Sequence, residues 1–156
     1  MDMNEVYEVL KELNIDYEKL EHEPVYTVEE AQNIEGKIQG VGCKNLFMKN
    51  KHDKYYLYML KEDKKADLKN VAKILECGRL KFASEEELYE LLKLKRGSVT
   101  PLGIINDDSK VTIILDKELQ DQRLLVHPNV NTATISILYE DLLKVIKQFR
   151  NTYVEI

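Results

Sequence analysis

Apolar residues at Val6, Val9, Leu10 and Leu13 recur at three- and four-residue intervals and predict an amphipathic helix over the first dozen residues, ended near Asn14. IDYEKLEH (15–22) alternates as a strand does. Thr27 and Glu30 in TVEE have the spacing of a capping box and predict a short helix over 28–34. EGKIQGVG, with Gly36, Gly40 and Gly42, reads as a loose loop, a plain connection or a lid. The aromatic and aliphatic runs CKNLFMKN and KYYLYMLK flank KHD and predict a β-hairpin. ADLKNVAKIL places Leu68, Val71, Ala72 and Leu75 on one helix face, with Asp67 as N-cap and Gly78 as the stop.

RLKFA is a short strand. Ser84 and Glu87 form a second capping box, opening a helix that turns Leu88, Leu91 and Leu92 inward. LGII and VTIIL, split by NDDSK, predict another hairpin, and their unbroken apolar character predicts central strands covered on both faces. DKELQD is a helical turn, and RLLVH and TATISI are strands. YEDLLKVIKQF closes the chain as a helix with Leu142, Val145, Ile146 and Phe149 on one face. Strands with helices inserted in ones and twos, rather than repeated βαβ units, predict one α+β domain over 1–156. Its sheet is expected to be mixed, mostly antiparallel, with about six or seven strands and flanking helices.

Composition narrows the class. With 156 residues, 44% of them hydrophobic, the chain suits one globular core. No apolar run reaches membrane-spanning length. The acidic, amphipathic start is unlike a signal peptide, so a cytoplasmic protein with no membrane partner is expected. Cys43 and Cys77 belong to no CxxC or CxxH motif and read as reduced thiols, with no metal site. The formal net charge of −5 and pI near 5.3 argue against DNA binding and any extended phosphate-tracking surface. Lysines cluster at Lys44, Lys49, Lys51 and Lys54, at Lys61, Lys64 and Lys65, and around Lys93, Lys95 and Arg96. Charge alone reads these as solvated faces.

The candidate chemistry centres on RGSVTPLG. Ser98 and Thr100 are hydroxyl nucleophiles on paper, with His127 as a base. GSVTP is not a nucleophile elbow, however, and nothing selects an orienting acid from 28 carboxylates. The alternative is a loop whose backbone matters. Gly97 permits angles that other residues resist, and Pro101 pushes Thr100 toward extended angles. Successive N–H groups can then face an anion or a developing oxyanion. Local pattern alone favours an ordinary rigid turn. His127, before Pro128, Asn129 and Asn131, fits either a cleft or a half-buried ring bonded to backbone. His22 and His52 are expected at the surface. Lys44 and Asn45 are neighbours in a strand and must point to opposite faces. P-loop, dinucleotide-binding, zincin and EF-hand signatures are absent.

Taken in order, EPVYTVEEA, GVGCKNLFMKNKHDKYYLYML, SEEELYELLKLKRGSVTPLGIIND and VHPNVNTATISI resemble the YbaK/prolyl-tRNA synthetase-associated editing superfamily, over nearly the whole chain. The closer resemblance is to its free-standing Ala-tRNA(Pro) deacylases, the ProX type. That likeness implies the editing-domain fold and hydrolysis of alanine misattached to proline tRNA, assisted by the substrate's own ribose hydroxyl. It implies no cofactor. The partner would be the acceptor end of mischarged tRNA(Pro), with prolyl-tRNA synthetase as a further candidate. The family's catalytic set maps to Lys44, to Gly97, Ser98 and Pro101 of the loop, and to His127. Asn45, Val99, Thr100, Asn131 and Tyr26 would contact substrate. In these roles the loop offers backbone amides, Lys44 holds a phosphate or the terminal adenosine, and His127 limits side-chain size. A Cys-tRNA(Pro) deacylase and a non-catalytic acceptor-stem or synthetase-binding module are the alternatives.

Overall fold

The structure is a computed structural model describing residues 3–24, 36–108 and 110–156. The expected helix over 28–34, its capping box and Tyr26 lie outside the described residues. Helix α1 (Met3–Glu12) buries Val6 and Leu10, and Asn14, in the left-handed region at φ 57°, stops it. Strands β1 (Glu18–Glu21), β2 (Val41–Lys49) and β3 (Tyr55–Lys61) follow. The β2–β3 turn closes on one residue. Buried Asn50 accepts from the backbone N–H groups of His52 and Lys54 and donates to the Cys77 carbonyl, each at 3.0 Å.

Helix α2 (Leu68–Leu75) is capped by Asp67, whose side chain accepts from the Asn70 N–H. It ends at Glu76 in the left-handed conformation, two residues before the expected Gly78. Strand β4 (Lys81–Phe82) leads into α3 (Glu85–Leu92), where both bonds of the Ser84–Glu87 capping box form. A 3₁₀ turn (Pro101–Asn106) then precedes β5 (Val111–Leu115). The remainder is a second 3₁₀ turn (Lys117–Leu119), β6 (Arg123–Val126), β7 (Ala133–Leu138), α4 (Tyr139–Gln148) and β8 (Tyr153–Glu155).

The expected LGII strand is therefore not one. Pro101 occupies the first turn of a 3₁₀ segment that Thr100 caps by accepting from the Leu102 N–H at 3.3 Å. Its apolar side chains bury themselves by packing, not by pairing. β5 finds its neighbours elsewhere, parallel to β3 on one side and to β8 on the other. β8 has no counterpart in the sequence expectation because three residues are too few to show a period.

The eight strands run β1-β7-β6-β2-β3-β5-β8, with β4 added beside β2. The sheet is mixed. β1–β7, β2–β3, β2–β4 and β6–β7 are antiparallel, whereas β2–β6, β3–β5 and β5–β8 are parallel. Both faces of its centre are covered, as the apolar runs predict. Phe47, Leu57, Met59, Ile113 and Leu115 enter the main core with α1, α3 and α4. Met48, Tyr56, Tyr58, Leu60 and Ile114 enter a second cluster with Val71 of α2. Among the described residues, no helix is long and apolar enough to cross a membrane.

Candidate functional site

The site is built where the pairing of two parallel strands ends. β2 and β6 pair at Val41–Leu124 and Gly42–Leu125, and the ladder ends there. The same edge of β2 is next paired at Met48, by β4. Beyond Gly42–Leu125 no pairing joins the two strands among the described residues, and the region outside the C-terminal ends of parallel strands is a common place for ligands. β2 carries Cys43, Lys44 and Asn45 on one side. β6 continues through Val126 into His127 on the other.

Strand alternation settles the faces of β2. Cys43, Asn45 and Phe47 look to the main core, whereas Leu46 and Met48 look to the second cluster, so Lys44 leaves the strand on that second side. Both Lys44 and Asn45 are half-buried. The Lys44 side chain has no hydrogen bond or ion pair among the described residues. The Asn45 amide donates to the Val99 carbonyl at 3.4 Å, and its Oδ1 is buried without a partner among the described residues. A buried acceptor left unpaired is costly and is well suited to a donor brought by a ligand.

That contact ties the Gly97–Pro101 loop to β2. Gly97 sits at φ 94°, a conformation that side-chain-bearing residues resist. Ser98 is buried, its N–H and its hydroxyl both donating to the Lys95 carbonyl, at 3.1 and 2.9 Å. Thr100 is fully buried, its hydroxyl oxygen held as the cap of the 3₁₀ turn. Pro101 is buried below it. Both hydroxyls are thus used to shape the loop, and neither meets a base. Gly103 completes the packing, since a Cβ there would stand 2.7 Å from Leu94 Cδ1 and 3.2 Å from Leu92 Cβ.

His127 is half-buried, with Nδ1 3.1 Å from the Ala133 carbonyl. A carbonyl only accepts, so Nδ1 carries the proton and Nε2 keeps its lone pair. Burial pushes the ring's pKa below the ordinary imidazole value, and the nearby His22 pushes the same way, against the Ala133 hydrogen bond. Burial thus favours the neutral ring. Asn129 follows at φ 63°, buried, with both amide atoms unpartnered, and Asn131 is half-buried in the same turn.

His22 departs from expectation. It is half-buried, with Nδ1 2.7 Å from the Glu23 carbonyl and Nε2 2.8 Å from Thr134 Oγ1. Sequence pattern could not place it, because its partner lies 112 residues away. His52 is exposed, as expected. The 36–42 loop is less loose than its glycines suggest. Ile38 is buried, the Ser136 hydroxyl donates to the Gln39 carbonyl at 2.5 Å, and Gly40 is pressed against Leu125. Among the described residues no group of three His, Cys, Asp or Glu side chains is placed to hold a metal ion, and neither cysteine is in a disulfide.

The chain resembles proteins with a shared theme. It is 41% identical over 147 residues to the prolyl-tRNA editing protein ProX of Acetoanaerobium sticklandii, covering 92% of this chain and 90% of that protein. It is 36% identical over 152 residues to prolyl-tRNA synthetase associated domain-containing protein 1 of Danio rerio, covering 95% and 83%. Among solved structures, a candidate trans-editing enzyme for prolyl-tRNA synthetase superposes with a TM-score of 0.75 at 19% identity, covering 98% of this chain and 94% of that one. A hypothetical protein superposes with a TM-score of 0.76 at 16% identity, covering 96% and 97%, and these two likenesses concern the fold. The profile of the aminoacyl-tRNA editing domain matches residues 22–145, so from His22 to Val145 the chain spans that domain and belongs to the aminoacyl-tRNA editing family.

Proposed function

We propose that this aminoacyl-tRNA deacylase removes alanine from mischarged tRNA(Pro). The observation that carries the reading is the state of the Gly97–Pro101 loop. Its hydroxyls are tied to the Lys95 carbonyl and the Leu102 N–H, so what it can offer a substrate is backbone. An aminoacyl ester suits such a site. It is already activated, and the ribose hydroxyl beside it can assist water, so the protein need supply only position and charge stabilisation. The pairing with proline tRNA is supported by the names of the relatives.

In this reading, N–H groups of the loop at Gly97, Val99 and Thr100 receive the developing oxyanion, since the Ser98 N–H is given to the Lys95 carbonyl and Pro101 has none. Asn45 Oδ1 accepts from a donor on the substrate, and Lys44 holds a phosphate or the terminal adenosine. His127 bounds the side-chain pocket, with Asn131 and Tyr26 as further contacts. A synthetase pocket sized for proline discriminates only modestly against the smaller alanine, and a second site that admits alanine and rejects proline corrects the error. Prolyl-tRNA synthetase is a natural docking partner, and the cytoplasm is where such a substrate arises.

Charged tRNAs assayed side by side test this. Ala-tRNA(Pro) should be hydrolysed well above the buffer rate, and Pro-tRNA(Pro) should be spared. Faster removal of cysteine than alanine would transfer the activity to the sulfur amino acid. Acceptor-end binding with no hydrolysis of either ester would make the chain a binding module.

A further inference from the structure

We propose that His22 is a positioning residue of the aminoacyl pocket: its imidazole holds Thr134, and through this stretch of β7 it sets the orientation of His127. The proposal rests on the reading of the candidate site as an aminoacyl pocket.

β1 pairs with the start of β7 at Leu20–Thr134 and Glu21–Ala133. β1 is a short, largely exposed edge strand, paired on one side only, and such an end would fray if the ladder alone held it. His22 extends the grip past the strand in two ways. Its backbone N–H donates to the Thr132 carbonyl at 2.9 Å. Its ring then spans the gap between the Glu23 carbonyl and Thr134 Oγ1.

The chemistry of the Glu23 carbonyl fixes the direction of the first bond. The Glu23 carbonyl can only accept, so the proton sits on Nδ1. With the ring neutral, Nε2 is left as an acceptor and the Thr134 hydroxyl donates to it. Thr134 is only 6% exposed, so water is a poor substitute for that bond. The intervening residue, Ala133, presents its carbonyl to Nδ1 of His127. Three consecutive residues at the start of β7 are therefore gripped by two histidines: Thr132, just before the strand, and Thr134 by His22, and Ala133 by His127. Releasing Thr134 frees the backbone that holds the His127 ring and its tautomer.

The test uses the full chain with His22→Ala, Thr134→Val, Thr134→Ser and the double variant His22→Ala/Thr134→Val. Three quantities are measured: the melting temperature, the ring ¹⁵N resonances of His127, and the ratio of hydrolysis rates for alanyl and 2-aminobutyryl esters of the same tRNA(Pro). One methylene in a snug pocket is worth about tenfold or more, so His22→Ala and Thr134→Val should each lower that ratio by up to roughly tenfold. Both should move the His127 resonances, Thr134→Ser should restore them, and the double variant should be no worse than either single change because the two residues act as one unit. Folded His22→Ala and Thr134→Val proteins with unchanged His127 resonances and an unchanged ratio would overturn the proposal. A parent chain that hydrolyses neither ester would instead sink the aminoacyl-pocket reading, and the His127 resonances would then decide alone whether His22 positions that ring.

Discussion

At the scale of single residues, the site separates side chains used for shape from those free to meet a ligand. Ser98 spends its hydroxyl on the Lys95 carbonyl, whereas Lys44 has no partner among the described residues. Ser98→Ala should therefore keep activity within a few-fold of the parent. Lys44→Ala should lose about 10²-fold or more, the scale of letting the bound acceptor end shift out of reactive position. Single-turnover deacylation of Ala-tRNA(Pro) measures both, and equal losses would contradict the substrate-assisted account. His127 gives a second contrast. In its proposed role it bounds the side-chain pocket, so His127→Ala should relax side-chain selection more than it slows alanine removal. Competition between alanyl and larger aminoacyl esters reads this directly.

At the scale of elements, the helix that precedes the loop is pinned by one carboxylate. Glu87 accepts from Lys49 Nζ at 2.7 Å and from the Tyr55 hydroxyl at 2.5 Å through Oε2, while Oε1 closes the capping box at the Ser84 N–H. Lys49 and Tyr55 stand at the two sides of the β2–β3 hairpin, facing each other in register, so α3 is bolted to that hairpin. The Lys49 and Tyr55 hydrogen bonds lower the Glu87 carboxyl from 4.5 to about 2. The sign follows from proton linkage. Below pH 4.5 the unfolded chain takes up the proton before the folded one does, so this contribution is full above 4.5 and is lost as pH falls toward 2. Glu87→Gln should flatten that part of the acid-unfolding curve while lowering stability at neutral pH, as chemical denaturation across the range would show. Gly103→Ala belongs to the same scale. The Leu94 methyl can move, but Leu92 Cβ belongs to a helix, and the substitution should cost about 1–3 kcal/mol by overpacking, seen as a lower melting temperature.

At the scale of the whole molecule, an acidic chain must recognise a polyanion with few contacts. The net charge of −5 leaves room for local lysines and none for a broad basic face. Recognition confined to an acceptor end should engage about three phosphates or fewer. The logarithm of the binding constant should then fall with the logarithm of salt by a slope of about −2 or shallower. Fluorescence titration of a tRNA(Pro) acceptor-stem mimic over a range of salt concentrations measures it, and a steep slope would indicate a larger footprint.

Much of this molecule was legible from local order. The capping residues Asp67 and Ser84, the stop at Asn14 and the alternation of β2 and β3 depend on neighbours within a few positions, and a one-dimensional pattern records such interactions faithfully. The loop motif and the HP element were legible too, because they are contiguous. Long-range pairing was not. LGII is as apolar as a strand, yet Pro101 and Thr100 begin a 3₁₀ turn, and β5 pairs with β3 and with three terminal residues that carry no period. The parallel pairing of β2 with β6, beside whose end the candidate site lies, is a property of two segments some 80 positions apart. So is the His22–Thr134 bond across 112 positions. The residue types and their local order thus determined which groups were available for chemistry. Only the tertiary structure decided which of them face one another, because hydrogen bonds and burial between distant segments exist only once the sheet has formed.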